Sequence, residues 1–377
     1  MDEGTGSTVG RLTGLLKGNV VLVVSAVLAV ASMAIVPPSS GYLDYIDVRM
    51  LCILFCFMAV VAGMRDCNLF GTVAGRILAG RHTLRTLCLV LVLLPFFCSM
   101  FITNDVALIT FVPFTILVLS MADERGSILP VVVLQTVAAN LGSMLLPFGN
   151  PQNLFINSRY GVGTGEMVLL LAPFVVIGGI VLCILCLRFD RHEVHVEMSR
   201  DRDFHNRGFL ALTFALFALC ILTVLRVVPW QAALVVTIAV IAVTRHRVLL
   251  KVDYGLLLTF VFLFVFTGNI AHVDTVSSAL GSLMSWDPML ASLGVSQVIS
   301  NVPAATLLSG FTTDWQDLLV GVDIGGFGTP IASMASMISL GIYSKVEGAD
   351  TGRYLVLFTA VNILMIVLLV PVHYLLR

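Results

Sequence analysis

Residues 102–114 read Ile-Thr-Asn-Asp-Val-Ala-Leu-Ile-Thr-Phe-Val-Pro-Phe. The first four, Ile102-Thr103-Asn104-Asp105, place three polar side chains at the centre of an otherwise apolar stretch, 84–121. A bilayer core about 30 Å thick takes about 20 apolar residues per helix. This stretch is nearly twice that length and is broken in the middle, so it reads as a re-entrant hairpin that enters and leaves on one side. A second stretch, 288–312, is interrupted in the same way by Ile299-Ser300-Asn301-Val302-Pro303 and reads as a second hairpin.

The surroundings fit a membrane. Hydrophobic residues make up 58% of the 377, charged residues 11%, and the mean hydropathy is +1.03. A water-soluble surface needs roughly 25% charged residues, so lipid must be the outer solvent. The net charge of −1 gives no reason to expect nucleic acid as a partner. Full spans are predicted at 19–36, 48–64, 128–156, 166–187, 208–226, 230–244, 255–272, 315–343 and 353–376. The first apolar run is longer than a signal-peptide core and lacks a small-residue cleavage site, so it is expected to be a retained span.

Charge bias tests the hairpins. With the N-terminus placed in the cytoplasm, 17 Lys and Arg fall inside, among them Arg11, Lys17, Arg200 and Arg202. Four fall outside: Arg49, Arg159, Arg226 and Arg377. If 84–121 crossed once, Arg125 and the basic loop 188–207 would change sides, against the positive-inside bias. The C-terminus is then expected outside, in an inner (plasma) membrane.

The halves match at five points in the same order. Ile46-Asp47-Val48 answers Val252-Asp253-Tyr254, and Gly63 answers Gly268. Thr103-Asn104-Asp105 answers Ser300-Asn301-Val302. Asn140-Leu141-Gly142 answers Asp323-Ile324-Gly325, and Phe148-Gly149-Asn150-Pro151 answers Phe327-Gly328-Thr329-Pro330. The expected architecture is an all-α polytopic membrane protein of two inverted repeats. The first covers 1–187, with hairpin 84–121 and broken helix 128–156. A cytoplasmic loop and linker helix, 188–229, follow. The second repeat covers 230–377, with hairpin 288–312 and broken helix 315–343. Paired Gly/Pro-broken helices mark the transport site in such folds.

Four helix starts are expected to converge there: Asn104, Asn150 before Pro151, Asn301, and Thr329 before Pro330, the second and fourth having proline at the first helical position, where its missing N–H costs little. Each start presents about half a positive charge and free N–H donors, which can hold an oxyanion without Lys or Arg. Thr103, Asn104, Asn150, Ser300, Asn301 and Thr329 are therefore candidate substrate ligands. Asp105 and Asp323 are ionisable groups at membrane depth, where such groups are costly and functional. A carboxylate repels an anionic substrate, so these two are assigned to a coupling ion, Na⁺ or H⁺, with Asn140, Gly149 and Gly328 beside them. The bland alternative is that both only satisfy broken helix ends. Gln152 and Asn153 are expected to line the cavity, while Gln135, Ser143 and Gln297 either line it or glue helices together.

Other polar features have quieter readings. Cys183 and Cys186 form a CxxC inside an apolar run and read as packing residues. His192, His195 and His205 read as a solvated linker rather than a metal site, and His272 and His373 as interfacial. No resident cofactor or metal is expected beyond the coupling ion.

The segments ITNDVALITFVPF (102–114), ANLGSMLLPFGNPQN (139–153) and ISNVPAA (299–305) resemble the ion transporter superfamily. It includes arsenite efflux permeases, NhaD-type antiporters, citrate permeases and divalent anion–sodium symporters. The resemblance implies a scaffold, a mobile domain carrying both hairpins, and a homodimer. Hairpin tips in the symporters read Ser-Asn-Thr. Here the asparagines carry over, but the third positions are Asp105 and Val302. The expected function is ion-coupled transport of a small anion by alternating access. Sodium–proton exchange on Asp105 and Asp323, or a channel, are the competing readings. No HExxH, GxSxG or Walker motif points to an enzyme.

Overall fold

The computed structural model describes residues 20–39, 41–78, 80–196 and 204–377. Arg11, Lys17, Arg200 and Arg202 of the charge count lie outside the described residues. Among these residues, seven helices are long and apolar enough to cross a membrane, as the composition demands.

One order of elements occurs twice. A long helix, α3 (Val48–Asp66), is followed by a short amphipathic helix, α4 (Leu69–Leu78), and the hairpin α5 (Leu84–Ser99) with α6 (Asn104–Met121). Next come the broken pair α7 (Ile128–Ser143) and α8 (Pro151–Tyr160) and a closing span, α9 (Thr164–Cys186). In the second half the counterparts are α12 (Tyr254–Ile270), α13 (Asp274–Trp286), the hairpin α14 (Pro288–Ile299) with α15 (Asn301–Leu308), the pair α16 (Trp315–Gly325) and α17 (Met334–Tyr343), and α18 (Thr351–Leu376). Before the first set stand α1 (Val20–Met33) and the one-turn α2 (Tyr42–Tyr45). Between the sets lie α10 (Arg207–Val224) and α11 (Trp230–Arg245), both packed on α3.

The matched aspartates explain why both sets begin alike. Asp47 accepts the Met50 N–H at 2.9 Å and Asp253 the Leu256 N–H at 3.0 Å, with nearly the same backbone angles (φ −76°, ψ 84° and φ −79°, ψ 83°). Each fills one of the unpaired donors of a helix start. The helices α4 and α13 escaped the sequence reading because α4 has only ten residues, too few to span, and about half of α13 is polar. α13 turns 102° away from α12.

Each hairpin leans on the first half of its broken helix through glycine. A β-carbon on Gly142 would lie 2.0 Å from the Phe96 carbonyl oxygen, and one on Gly321 2.4 Å from that of Met289. Gln135 acts as glue: its amide donates to Leu91 O (2.7 Å) and Thr115 Oγ1 (2.6 Å), joining α7 to both arms of the first hairpin. The first break, 144–150, is anchored by Phe148, whose ring stacks on Phe57 of α3 at 4.9 Å.

The linker 188–207 is not solvated throughout, which corrects the sequence reading. Strand β2 (Glu193–Val196) pairs antiparallel with β1 (Gly80–Thr83), the turn just before the first hairpin. Arg85 Nε donates to Phe189 O (2.9 Å), and His192 lies 2.6 Å from Glu124. A basic, partly extended segment is thereby tied to the base of the hairpin. The three histidines go separate ways, and no cluster of three metal-binding side chains occurs among the described residues.

Candidate functional site

Four helices begin around one small cavity: α6 with Asn104 and Asp105, α8 with Pro151 and Gln152, α15 with Asn301 to Pro303, and α17 with Ser333 and Met334. Leu256 and Thr259 of α12 close the side. The cavity measures about 20 Å³, room for one water-sized group, so this conformation is closed around its centre. None of the residues lining it is Lys or Arg.

Local chemistry fixes the hairpin tips. Thr103 Oγ1 accepts the Val106 N–H at 3.5 Å, and Asn104 Oδ1 accepts the Asp105 N–H at 2.9 Å. Ser300 stands at φ 74°, ψ 155°, a region that non-glycine residues occupy at a cost of about 1–3 kcal/mol. Its hydroxyl donates to Ala332 O at 3.3 Å. The true capping positions are thus Thr103 and Ser300, with Asn104 and Asn301 one residue inside their helices.

The two halves interlock by a reciprocal pair of contacts. Asn140, in the last turn of α7, accepts both the Asn104 amide (2.9 Å) and the Ser333 hydroxyl at the start of α17 (3.1 Å). Asp323, in the last turn of α16, accepts the Gln152 amide at the start of α8 (3.1 Å). Each broken helix therefore ends its first half on the start of the other. Asn140 Nδ2 further donates at 3.4 Å to Gly326 O and Ser336 Oγ. Beyond it, Thr136 donates to Ser339 at 2.7 Å, and Ser339 pairs with Tyr354 at 3.0 Å.

Several buried oxygens remain without a donor: Asp105 Oδ1, Asp323 Oδ2, Asn150 Oδ1 and Asn153 Oδ1. A buried acceptor left unpaired costs about 1–3 kcal/mol. Oxygen acceptors with no protein donor suit a hard cation or a proton.

Two sequence expectations need correction. The helix of the second break does not start at Thr329. Pro330 opens a one-turn 3₁₀ segment, Pro330–Ala332, and the α-helix resumes at Met334. The counterpart of Asn150 (φ −135°, ψ 144°) is Ser333 (φ −139°, ψ 133°). Thr329 is exposed, with its N–H and hydroxyl bonded to Gln297 Oε1 and O at 2.9 and 3.0 Å. Gly149 and Gly328 also lie off the cavity. Gly149 packs on the Ser143 carbonyl, and Gly328 (φ +109°) packs on Gln297, whose amide holds the break through Gly325 O (2.8 Å) and Phe327 O (2.9 Å). Asn150 is buried at its helix start without reaching the cavity lining, and Asp323 lies one layer behind Gln152. Ser333 and Thr259 were not foreseen. A serine before a helix-forming run was the available signal for the first, whereas a lone threonine in an apolar helix gave none for the second.

Asn140→Ala is expected to lower stability by about 1–3 kcal/mol, because it leaves the Asn104 amide and the Ser333 hydroxyl unpaired. Thermal unfolding in detergent of Asn140→Ala, Asn104→Ala and the double variant gives a coupling energy. A value near zero would mean that the 2.9 Å bond contributes nothing.

The sequence has known relatives. A family model described as citrate transporter matches residues 12–314. An uncharacterized transporter of Methanocaldococcus jannaschii is 33% identical over 323 residues, covering 84% of this chain and 86% of that protein. The inner membrane protein YbiR of Escherichia coli is 29% identical over 303 residues, covering 78% and 80%. The silicon efflux transporter LSI3 of Oryza sativa is 30% identical over 187 residues, covering 48% of this chain and 35% of that protein. With two hairpins and two broken helices around a central polar cavity, and with these matches, the chain is a multi-pass membrane transporter, not an enzyme, and belongs to the citrate transporter family.

Proposed function

We propose that this protein is an ion-coupled carrier of a small anion, a carboxylate or an oxyanion, working by alternating access between inverted halves. The observation that supports this most is the convergence of four helix N-termini on one cavity lined by neither Lys nor Arg. Their N–H groups and dipoles attract an anion, and Asn104, Asn301, Ser300 and Ser333 add polar atoms at the same starts. The family match to citrate transporters supports a carboxylate.

In this reading Asp323 and Asp105 carry the coupling ion. Asp323 Oδ2, Asn153 Oδ1 and Asn150 Oδ1 are buried acceptors without a donor, and such oxygens suit Na⁺ or a proton. A cation held there offsets the buried carboxylate, and the anion then meets helix dipoles rather than a bare negative charge. Na⁺/H⁺ exchange on the same two aspartates is the second reading, favoured by their unpartnered oxygens.

Purified protein in liposomes separates the two. Under an imposed Na⁺ or H⁺ gradient, uptake of labelled citrate, succinate, sulfate or arsenite above empty-liposome levels is expected. A Na⁺-driven internal pH change with no anion present would replace the anion reading with the exchanger.

A further inference from the structure

A second cavity, a cleft of about 610 Å³ that opens away from the central site, lies at the far ends of α8, α12 and α15. These three helices connect the two spaces. On α8, Gln152 faces the central cavity and Phe155 the cleft. On α15 the pair is Pro303 and Thr306, and on α12 Thr259 and Phe264. Three to five residues at 1.5 Å each leave a partition of roughly 5–8 Å. Aromatic rings occupy it: Phe155 and Phe264 have centroids 5.6 Å apart, and Phe260 stands 6.0 Å from Phe264. The cleft is therefore an antechamber, one aromatic layer from the cavity.

Unlike the central cavity, it carries arginines. Arg49 and Arg159 line it. Arg226 reaches over Gly161, 3.2 Å from where a β-carbon would stand. Two carboxylates, Asp44 and Asp47, share the cleft, but neither forms an ion pair with the arginines. Asp47 caps α3 through Met50, and Asp44 sits exposed at the rim. His272 also faces the space, with Nδ1 2.9 Å from Gly268 O. Among the described residues no ion pair engages Arg49, Arg159 or Arg226. The Thr267 hydroxyl beside them has no partner either. Guanidinium groups gathered on a concave surface without carboxylate partners attract an anion and present forked donors to it.

We propose that this cleft is a vestibular anion-binding site, in which Arg49 and Arg159 hold a small carboxylate or oxyanion outside the layer formed by Phe155 and Phe264. The substrate class rests on the anion reading above, but the site can be tested without transport. Ser158 lines the cleft. In the full chain carrying Ser158→Cys, reconstituted in liposomes, the modification rates at residue 158 by an anionic and a cationic methanethiosulfonate are read by mass spectrometry. The anionic reagent is expected to react faster, and millimolar citrate or sulfate to slow it. Adding Arg49→Gln and Arg159→Gln is expected to lower the anionic-to-cationic rate ratio roughly tenfold and to remove the protection. An unchanged ratio, or no protection by either anion in the parent, overturns the vestibular site and leaves anion transport, read by flux, standing. A preference for the cationic reagent, with protection by Na⁺, overturns both.

Discussion

Asp323→Asn is expected to reduce gradient-driven uptake by at least about 100-fold, equivalent to about 2.7 kcal/mol, while the thermal unfolding midpoint stays level or rises. Asparagine has the shape of aspartate and keeps an oxygen for the Gln152 amide that now donates to Oδ1 at 3.1 Å. What it removes is the ability of Oδ2 to bear charge or a proton. That oxygen is buried and has no donor, an expensive arrangement in a membrane interior unless an ion or proton visits it. If Asp323 only satisfied the end of α16, the amide would serve equally well, and burying a neutral group would stabilise the fold. Uptake within threefold of the parent, at equal protein per liposome, would leave the aspartate with a purely structural role. The same exchange at Asp105, whose Oδ1 is also unpartnered, asks the same question of the first half.

Gly142→Ala is expected to destabilise the protein by about 3 kcal/mol or more, at or beyond the upper end of overpacking costs. The added carbon would stand 2.0 Å from the Phe96 carbonyl oxygen and 2.6 Å from Ser99 Oγ. Ser99 can rotate, but Phe96 O belongs to the backbone of α5, so α5 and α7 would have to separate. They carry Gln135 and its bonds between them, and the first hairpin tip hangs from the same contact. The size-exclusion profile in detergent should shift to aggregate, and uptake should fall with it. Gly281→Ala is the control. Its β-carbon would meet nothing within 4 Å, so on α13 it should be neutral or gain up to about 1 kcal/mol of helix propensity. A Gly142→Ala protein that unfolds like the parent would mean that the approach of α5 and α7 is not the constraint it looks to be.

How far the sequence could be read depends on where each signal resides. Pro151 after Asn150 and the Asn-Asp pair at 104–105 interrupt apolar runs, and any such interruption at membrane depth has to be a break or a tip. The helix breaks at 99–104, 143–151, 299–301 and 325–334 were visible for that reason. The same rule misled at Thr329. Gly-Thr-Pro looks like Gly-Asn-Pro, yet Pro330 starts a single 3₁₀ turn, and three residues later Ser333 takes the capping place. Proline fixes its own φ angle but cannot say whether an α-helix follows. The amphipathic α4 and α13 were missed because a search for spans passes over a ten-residue helix and a half-polar one.

Composition and the polar interruptions alone determined that this chain lives in lipid, where it breaks and how often its pattern returns, since a bilayer constrains every residue by its own polarity. Only the tertiary structure decided which atoms meet. Asn140 with Ser333 and Asp323 with Gln152 are separated by 193 and 171 residues. Whether an asparagine lines the cavity, as Asn104 does, or stands behind it, as Asn140 does, is set by the rotation of a helix about its axis, and that rotation is fixed by the packing of glycines such as Gly142 and Gly321 against neighbouring backbone.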